Sequence, residues 1–270
     1  MISNNYYSYN KLMKACKICI ISKEYNTSLS DYDLSSLSSG DSIYIDIFLL
    51  YNLQLDLLKI NIPFVLVTGK GELSIDNIFK TNKEMNRFIE NPYLLHWYCI
   101  NNTMNHKKIT TIPLGLEIYD DRLYDCIYEI QKTSYKFYER VNLCYLHSQN
   151  NNYFINDKLY LIGREEIIGE IPNNLLYIEK EELTKNNLWL NMSRFSYIIC
   201  YSINTLDNSD IYESLCLGCI PIILSSNLNK LYEDLPVLIV NKWSDINKEL
   251  LESTLEDFKI KYNLFKYEKL

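Results

Sequence analysis

The sequence predicts an α/β protein made of two Rossmann-like domains whose sheets are mostly parallel. Three observations carry this prediction. Short apolar runs alternate with longer segments of helical periodicity, this alternation occurs in two successive series, and no internal repeat or long low-complexity tract interrupts it. Strands that alternate with helices indicate βαβ units and hence parallel sheets. A chain of 270 residues is long enough for two domains of modest size.

The first series occupies the N-terminal half. The run 64–68 is continuously apolar, which is typical of a strand buried on both faces of a parallel sheet. Leu53, Leu57 and Ile60 are spaced to lie on one face of a helix just before that strand. A capping box at Thr81 predicts a second helix. Further strands are predicted at 17–21, 42–47, 94–100 and 108–112.

The second series begins after about residue 135. Strands are predicted at 141–146, 159–162, 197–201, 220–224 and 237–240, and helices at 188–195, 210–217 and from 251 onward. These positions predict an N-terminal domain over 1–135 and a C-terminal domain over 136–270, with the last helix a candidate to pack back on the N-terminal domain. Because ligands of parallel sheets bind at the carboxyl ends of the strands, a ligand is expected there, across a cleft that the two domains face.

Composition and charge exclude several classes of protein. The chain is 47% hydrophobic and carries 27 Lys and Arg against 34 Asp and Glu, a formal net charge of −7. The apolar fraction is too high for a disordered chain. General binding to nucleic acid is not expected either, because the chain is acidic and has no run of basic residues to contact phosphates. No stretch approaches the roughly 20 apolar residues of a membrane span, and the first residues do not have the pattern of a signal peptide. The sequence therefore predicts a cytoplasmic protein without a transmembrane segment.

Two C-x-x-C pairs occur among the eight cysteines, at Cys16/Cys19 and Cys216/Cys219. Four thiolates of two such pairs can bind zinc. However, the pairs lie about two hundred residues apart, Cys19 lies in an apolar run and Cys216 in a predicted helix. We therefore interpret these cysteines as reduced thiols of the core.

Several segments resemble exostosin-like glycosyltransferases, a family with the GT-B fold. In the C-terminal half they are Tyr-Ile-Ile-Cys at 197–200, Tyr-Glu-Ser-Leu at 212–215, Gly-Cys-Ile-Pro-Ile-Ile at 218–223 and Leu-Tyr-Glu-Asp-Leu-Pro-Val at 231–237. In the N-terminal half they are the run 63–69, His96-Trp97, Asn101, Lys108 and the run 112–116. The resemblance covers most of residues 43–250 in the same order.

The resemblance implies a GT-B-like transferase that moves a sugar from a nucleotide-diphosphate donor to a hydroxyl of a glycan or glycoconjugate acceptor. It implies that Glu213 contacts the ribose of the donor and that Asp207 is an acidic residue of the donor loop. Segment 112–117 would line the cleft from the N-terminal side. The motif Asp-x-x-Glu at Asp210 and Glu213 also fits a capping box at a helix start, which leaves a structural role for Glu213 open.

An inverting transferase also needs a general base near the acceptor hydroxyl. Glu72, His96 and Glu117 lie near predicted strand ends and are the candidates. Each has a plain structural interpretation as well, because an exposed glutamate is usually a solvated charge and a histidine next to a tryptophan is usually packed.

The donor loop departs from the pattern of the family. Ser202 stands where the family has an arginine, Asn204 follows in the same loop, and Asp210 replaces an arginine at the helix start. An arginine elsewhere can supply the missing cation, and Arg164, after Gly163, is our first candidate ahead of Lys180 and Arg194. No cofactor is expected to be required, although a divalent cation held by Asp207 and Asp210 is an alternative.

Two other functional classes compete with the transferase. The first is a catalytically inactive GT-B-like protein that serves binding or assembly, which the altered loop 202–210 favours. The second is a dinucleotide-dependent dehydrogenase, which is poorly supported because no G-x-G-x-x-G follows the first strand.

Overall fold

The computed structural model describes residues 9–21, 28–71, 73–75, 78–79, 81–116, 121–133, 139–147, 154–155, 158–159, 162–201 and 205–264. The chain divides into two compact units. The first unit consists of Ser8–Glu117 together with the short segment Asn204–Asp207. The second unit consists of Ile118–Ile203 and Asn208–Leu270, with Met1–Tyr7. The sequence predicted the boundary at 135, whereas here the helix at 121–133 belongs to the second unit.

The first unit is a parallel α/β unit. Its strands are β1 (Ile18–Ile20), β2 (Asp41–Asp46), β3 (Phe64–Gly69), β4 (Leu94–Cys99) and β5 (Ile109–Thr111), and its helices are α1 (Tyr9–Ala15), α2 (Ile47–Leu57) and α3 (Asn82–Ile89), with a 3-10 helix at Leu29–Asp31. The side chain of Thr81 accepts a hydrogen bond from Glu84 N and caps α3, as the sequence predicted. The strands follow one another in the sheet in the order β1-β2-β3-β4-β5, and every neighbouring pair is parallel.

The second unit contains the other strands and helices. Its strands are β6 (Val141–Leu146), β7 (Phe154–Ile155), β8 (Lys158–Leu159), β9 (Leu176–Ile178), β10 (Phe195–Ile199), β11 (Ile220–Leu224) and β12 (Leu238–Val240). Its helices are α4 (Asp121–Thr133), α5 (Ile162–Glu170), α6 (Lys185–Met192), α7 (Ser209–Cys216) and α8 (Lys248–Leu264), with 3-10 helices at Asn229–Tyr232 and Trp243–Asp245.

The sheet of the second unit has the order β12-β11-β10-β6-β9, again with parallel pairs throughout. Counted along the chain from β6, this is the doubly wound order 2-1-3-4-5. The direction of winding therefore reverses between β6 and β10, which is the topological switch point of the sheet. One face of the sheet packs against Ile167 and Ile171 near the end of α5 and against Leu251 and Phe258 of α8.

One predicted element differs in type from the structure. Segment 159–162 was predicted as a strand, but β8 ends at Leu159, pairs antiparallel with β7, and α5 begins at Ile162. Ile167 and Ile171 are four residues apart and both lie in the hydrophobic core of this unit. This spacing suits a helix, and it outweighs the short apolar run that predicted a strand. Helix α8 packs its Leu251 and Phe258 on the sheet of the second unit, and residues 265–270 lie outside the described part.

Helix α7 ends as the sequence predicted. Gly218 has a positive φ of 74°, which favours glycine. Gly218 N donates to Leu215 O and Cys219 N donates to Ser214 O, the two bonds of a Schellman motif. The chain therefore turns sharply from α7 into β11. Among the described helices, none combines the length and the apolar character needed to cross a membrane.

Candidate functional site

The carboxyl edge of the second sheet, at its switch point, gathers charged side chains that are largely buried. Helices α6 and α7 both begin at this edge, because each connects the end of one strand to the start of the next. His147 follows β6 directly, Lys185 is the first residue of α6, and Asp210 and Glu213 lie on α7. We call His147, Lys185, Trp189, Asp210 and Glu213 the switch-point cluster.

Glu213 is the centre of this cluster. Its side chain is fully buried, and each carboxylate oxygen has one partner on α6: Oε1 lies 2.7 Å from Lys185 Nζ, and Oε2 accepts a 2.8 Å hydrogen bond from Trp189 Nε1. The Lys185 ammonium also lies 5.6 Å from the centre of the Trp189 ring. Lys185 keeps 38% of its side chain exposed, so the cluster presents a cation to solvent at the start of α6.

The ammonium of Lys185, in the first turn of α6, needs a nearby negative charge. The N-terminus of a helix carries a partial positive charge, which disfavours a lysine in the first turn. The buried Glu213 carboxylate supplies the opposite charge and holds the ammonium in place. A lysine that the fold retains against the helix dipole is suited to receive a negatively charged ligand.

His147 and Asp210 form the second pair of the cluster. His147 Nε2 lies 3.0 Å from Asp210 Oδ2, and both side chains are buried. The backbone carbonyl of Asp210 accepts a hydrogen bond from Ser214 Oγ at 2.6 Å. The buried acidic residue in the first turn of α7 is therefore matched by a histidine from the neighbouring strand end.

Burial raises the pKa of the Glu213 carboxyl above its ordinary value. The Lys185 ammonium opposes this shift, and the Asp210 carboxylate reinforces it. A carboxyl with a raised pKa holds its proton in the folded chain at pH values at which the unfolded chain has released it.

Replacing Glu213 with glutamine is expected to change the pH dependence of stability. The contribution of the protonated carboxyl is fully present below the ordinary glutamate pKa and is lost as the pH rises through the raised folded-state pKa. The free energy of unfolding of the wild type, minus that of the variant, should therefore fall across this window by about 1.4 kcal/mol per unit of pKa shift. Urea unfolding at a series of pH values measures this difference. A difference that stays flat or rises with pH would contradict the burial-driven shift.

The capping box expected from Asp210 and Glu213 is not formed. The N-cap residue of α7 is Asn208, which places Asp210 inside the first turn, and Glu213 points to α6 instead of the helix start. The Oδ1 atom of Asn208 is buried and has no hydrogen-bond partner among the described residues. A buried acceptor whose own side chain does not cap the helix is available to a ligand or to water.

Asp207 belongs to the first unit, not to the switch-point cluster. Its Oδ2 accepts a 2.7 Å hydrogen bond from Leu114 N, and its backbone N donates to Asn101 Oδ1 at 2.7 Å. Asn101 also accepts from Leu206 N and donates to Asp207 O. Asn101, Leu206 and Asp207 thus form a hydrogen-bonded clamp with Leu114, and Asp207 acts there as a structural acceptor.

The other predicted residues have different outcomes. His96 is the third residue of β4, not a strand-end residue, and it bonds Thr110 Oγ1 and packs on Tyr98. Arg164 is the third residue of α5, not a strand-end residue, and its side chain is outside the described part. Glu72, Glu117, Ser202 and Asn204 lie outside the described residues. Arg194 precedes β10 and therefore lies at the amino edge of the sheet, while Lys180 follows β9.

Sequence reasoning missed His147, Lys185 and Trp189. His147 had a usable signal, because it follows directly after a correctly predicted strand. Lys185 and Trp189 had none, since their role depends on the packing of α6 beside α7. The first unit holds a further missed carboxylate: Asp46, the buried last residue of β2, has its Oδ2 3.9 Å from Lys70 Nζ.

All eight cysteines are free thiols, and the pair Cys216 and Cys219 is buried. Burial raises the pKa of the Cys200 thiol well above its ordinary value, so this thiol is unreactive. Within the described ranges, no group of three or more His, Cys, Asp or Glu side chains is arranged to hold a metal ion.

The fold and the site together define a class: an α/β protein of two parallel-sheet units, with a polar cluster at the switch point of the second sheet. Proteins of this class bind ligands at such switch points. No protein-family model matches this chain, and no curated protein matches it.

Proposed function

We propose that this protein is a glycosyltransferase of the GT-B type that transfers a sugar from a nucleotide-diphosphate donor to a hydroxyl of a glycan or glycoconjugate. Two parallel α/β units in succession along the chain support the GT-B assignment. The switch-point cluster carries the proposal, because it provides a cation, a helix start and buried polar groups where a donor is expected.

Lys185 takes the place of the arginine that the donor loop does not have. The departing diphosphate accumulates negative charge, and the ammonium at the start of α6 stabilises it. The N–H groups at the start of α7, which the Asn208 side chain does not cap, act in the same direction. Glu213 then has a positioning role, because its side chain is fully buried and its two oxygens contact Lys185 and Trp189 of α6. A hydroxyl of the donor can instead donate to Asn208 Oδ1.

An inverting transfer also needs a general base for the acceptor hydroxyl. Asp46 is suited to this role, since it is a carboxylate at the carboxyl end of β2. Lys70 lies 3.9 Å away and has a positive φ of 48°, at the turn that follows β3. Glu72 and Glu117 stay candidates for the same role. The alternative function, a binding or assembly protein without catalysis, is favoured by the burial of Asp210 and Glu213 in the donor region.

Thermal unfolding with UDP-, GDP- and dTDP-sugars at millimolar concentration tests the proposal. At least one donor is expected to raise the Tm of the wild type, because ligand binding stabilises the folded state. Lys185→Met keeps the apolar stem but removes the charge, and it should weaken that donor about tenfold or more, the usual effect of losing a charge-assisted contact. Release of nucleoside diphosphate in the presence of a glycan acceptor measures turnover.

Lys59→Met is the matched control, because Lys59 also forms an ion pair with a carboxylate, at Asp56, but lies in the first unit at the end of α2. It should leave donor binding unchanged. If no nucleotide-sugar raises the Tm, the transferase is rejected and the binding protein is favoured. Binding without turnover supports the same alternative.

A further inference from the structure

A cavity of about 330 Å³ opens on the second unit, away from the switch-point cluster. The residues that line it and enter the argument are Glu139, Tyr145, Tyr177, Asn191, Arg194 and Phe195. Glu139 precedes β6, and Arg194 and Phe195 stand at the start of β10, so the cavity reaches the amino edge of the sheet. The switch-point cluster lies at the carboxyl edge, and no residue of the cluster lines this cavity.

Three aromatic rings form the floor of the cavity. Tyr145 and Tyr177 are stacked with their ring centres 5.7 Å apart, and Phe195 lies 4.9 Å from Tyr145 and 5.0 Å from Tyr177. Tyr145 and Phe195 are buried, whereas Tyr177 is 44% exposed. The reason is topological: β9 is the edge strand, and α6, which packs on β10, has only eight residues. The ring of Tyr177 is thus left as an accessible platform.

Polar groups of both signs surround this platform. Arg194 is exposed and offers guanidinium N–H donors, while Glu139 offers a carboxylate. Asn191 Nδ2 donates to Glu179 Oε2 at 3.1 Å, which fixes the amide and leaves its oxygen as an acceptor. Tyr145 OH also donates to Glu179 Oε2, at 3.2 Å. The rim therefore combines donors and acceptors, of which the Asn191 amide is held in place by Glu179.

We propose that this cavity binds a sugar ring of a glycan, as a carbohydrate site separate from the donor region. A pyranose has an apolar face that packs on an aromatic ring and an edge of hydroxyls that both donate and accept hydrogen bonds. This is the pattern of Tyr177 with Arg194, Asn191 and Glu139. A lipid chain would leave the charged rim without partners. The volume is at the small end of the ~300–1,000 Å³ range of ligand sites, which suits a sugar ring.

Saturation-transfer NMR without nucleotide tests this site, with cellobiose, maltose, lactose and chitobiose as probes. At least one disaccharide should bind the wild type. Tyr177→Ala is expected to weaken that disaccharide about tenfold, the upper range for loss of an aromatic contact. Tyr177→Phe keeps the ring and should retain binding, which separates the platform from any loss of folding. Arg194→Met removes the guanidinium donors but keeps an apolar stem, and it should also weaken binding.

Tyr98→Ala is the matched control, because Tyr98 is a similarly exposed strand tyrosine, on β4 of the first unit. It should bind the disaccharide as the wild type does. The site is rejected if no disaccharide binds, or if Tyr177→Ala binds as tightly as the wild type. It is also rejected if a nucleotide-sugar that binds the protein displaces the disaccharide, since the two ligands would then share the donor region. Disaccharide binding to this cavity does not depend on whether a nucleotide-sugar binds to the donor region. Nucleotide-sugar binding likewise does not depend on this cavity.

Discussion

Replacing Glu213 with alanine is expected to lower the free energy of unfolding by about 3 kcal/mol, near the lower end for breaking a buried ion pair. The substitution removes the acceptor of Trp189 Nε1 and the counter-charge of Lys185, and it leaves a cavity between α6 and α7. Because the Lys185 side chain is partly exposed, its ammonium can move into water when Glu213 is removed. The free energy of unfolding therefore falls by less than it would if a fully buried charge lost its partner. Urea unfolding of both chains measures the difference.

Glutamine at position 213 is the control for this prediction. Its amide oxygen can still accept from Trp189 Nε1, and its volume matches that of glutamate, so the loss should be about half as large. Two results would contradict the structural role of Glu213: an alanine variant as stable as the wild type, or a glutamine variant as unstable as the alanine variant. A variant that binds no donor although it is folded would add support to Lys185 as the donor cation.

Replacing Asn101 with alanine is expected to lower the free energy of unfolding by about 3 kcal/mol as well, for a different reason. The buried Asn101 amide makes three hydrogen bonds to the backbone of Leu206 and Asp207. Two of these bonds satisfy N–H groups that alanine would leave without acceptors. Asn101 also has a positive φ of 49°, a conformation that asparagine tolerates better than alanine.

Glycine at position 101 separates these two contributions. Glycine adopts the positive φ without strain but still removes the amide, so Asn101→Gly should be more stable than Asn101→Ala by about 1 kcal/mol. Urea unfolding gives the total effect, and amide hydrogen exchange at Leu206, Asp207 and Leu114 reports the clamp itself. Unchanged protection of these three amides in Asn101→Ala would show that the clamp does not hold the segment.

Regular secondary structure was largely accessible from the sequence, because its signals are local. The apolar run 64–68 became the central strand β3, and the predicted strands Val141–Leu146 and Ile220–Leu224 match β6 and β11 residue for residue. Strand β9 was missed because it has only three residues, of which the middle one, Tyr177, is exposed. Helix α5 was missed because Gly163 and Gly169 obscure its helical character.

The candidate site was only partly accessible. Glu213 was singled out through the resemblance, but its partners Lys185 and Trp189 lie 28 and 24 residues earlier, on another helix. Asp207 and Asp210 were grouped as neighbours in one loop, yet their hydrogen bonds go to different units: to Asn101 and Leu114 in one case and to His147 in the other. Proximity along the chain does not predict which carboxylates share a site.

The sequence by itself determined the alternation of strands and helices and the parallel character of the sheets, because these follow from periodicity and capping over a few residues. Only the tertiary structure decided the strand order, and with it the switch point between β6 and β10. The pairs His147–Asp210 and Asn101–Asp207 join residues 63 and 106 positions apart. Such pairs depend on which strands become neighbours, and no local pattern of side chains encodes that choice.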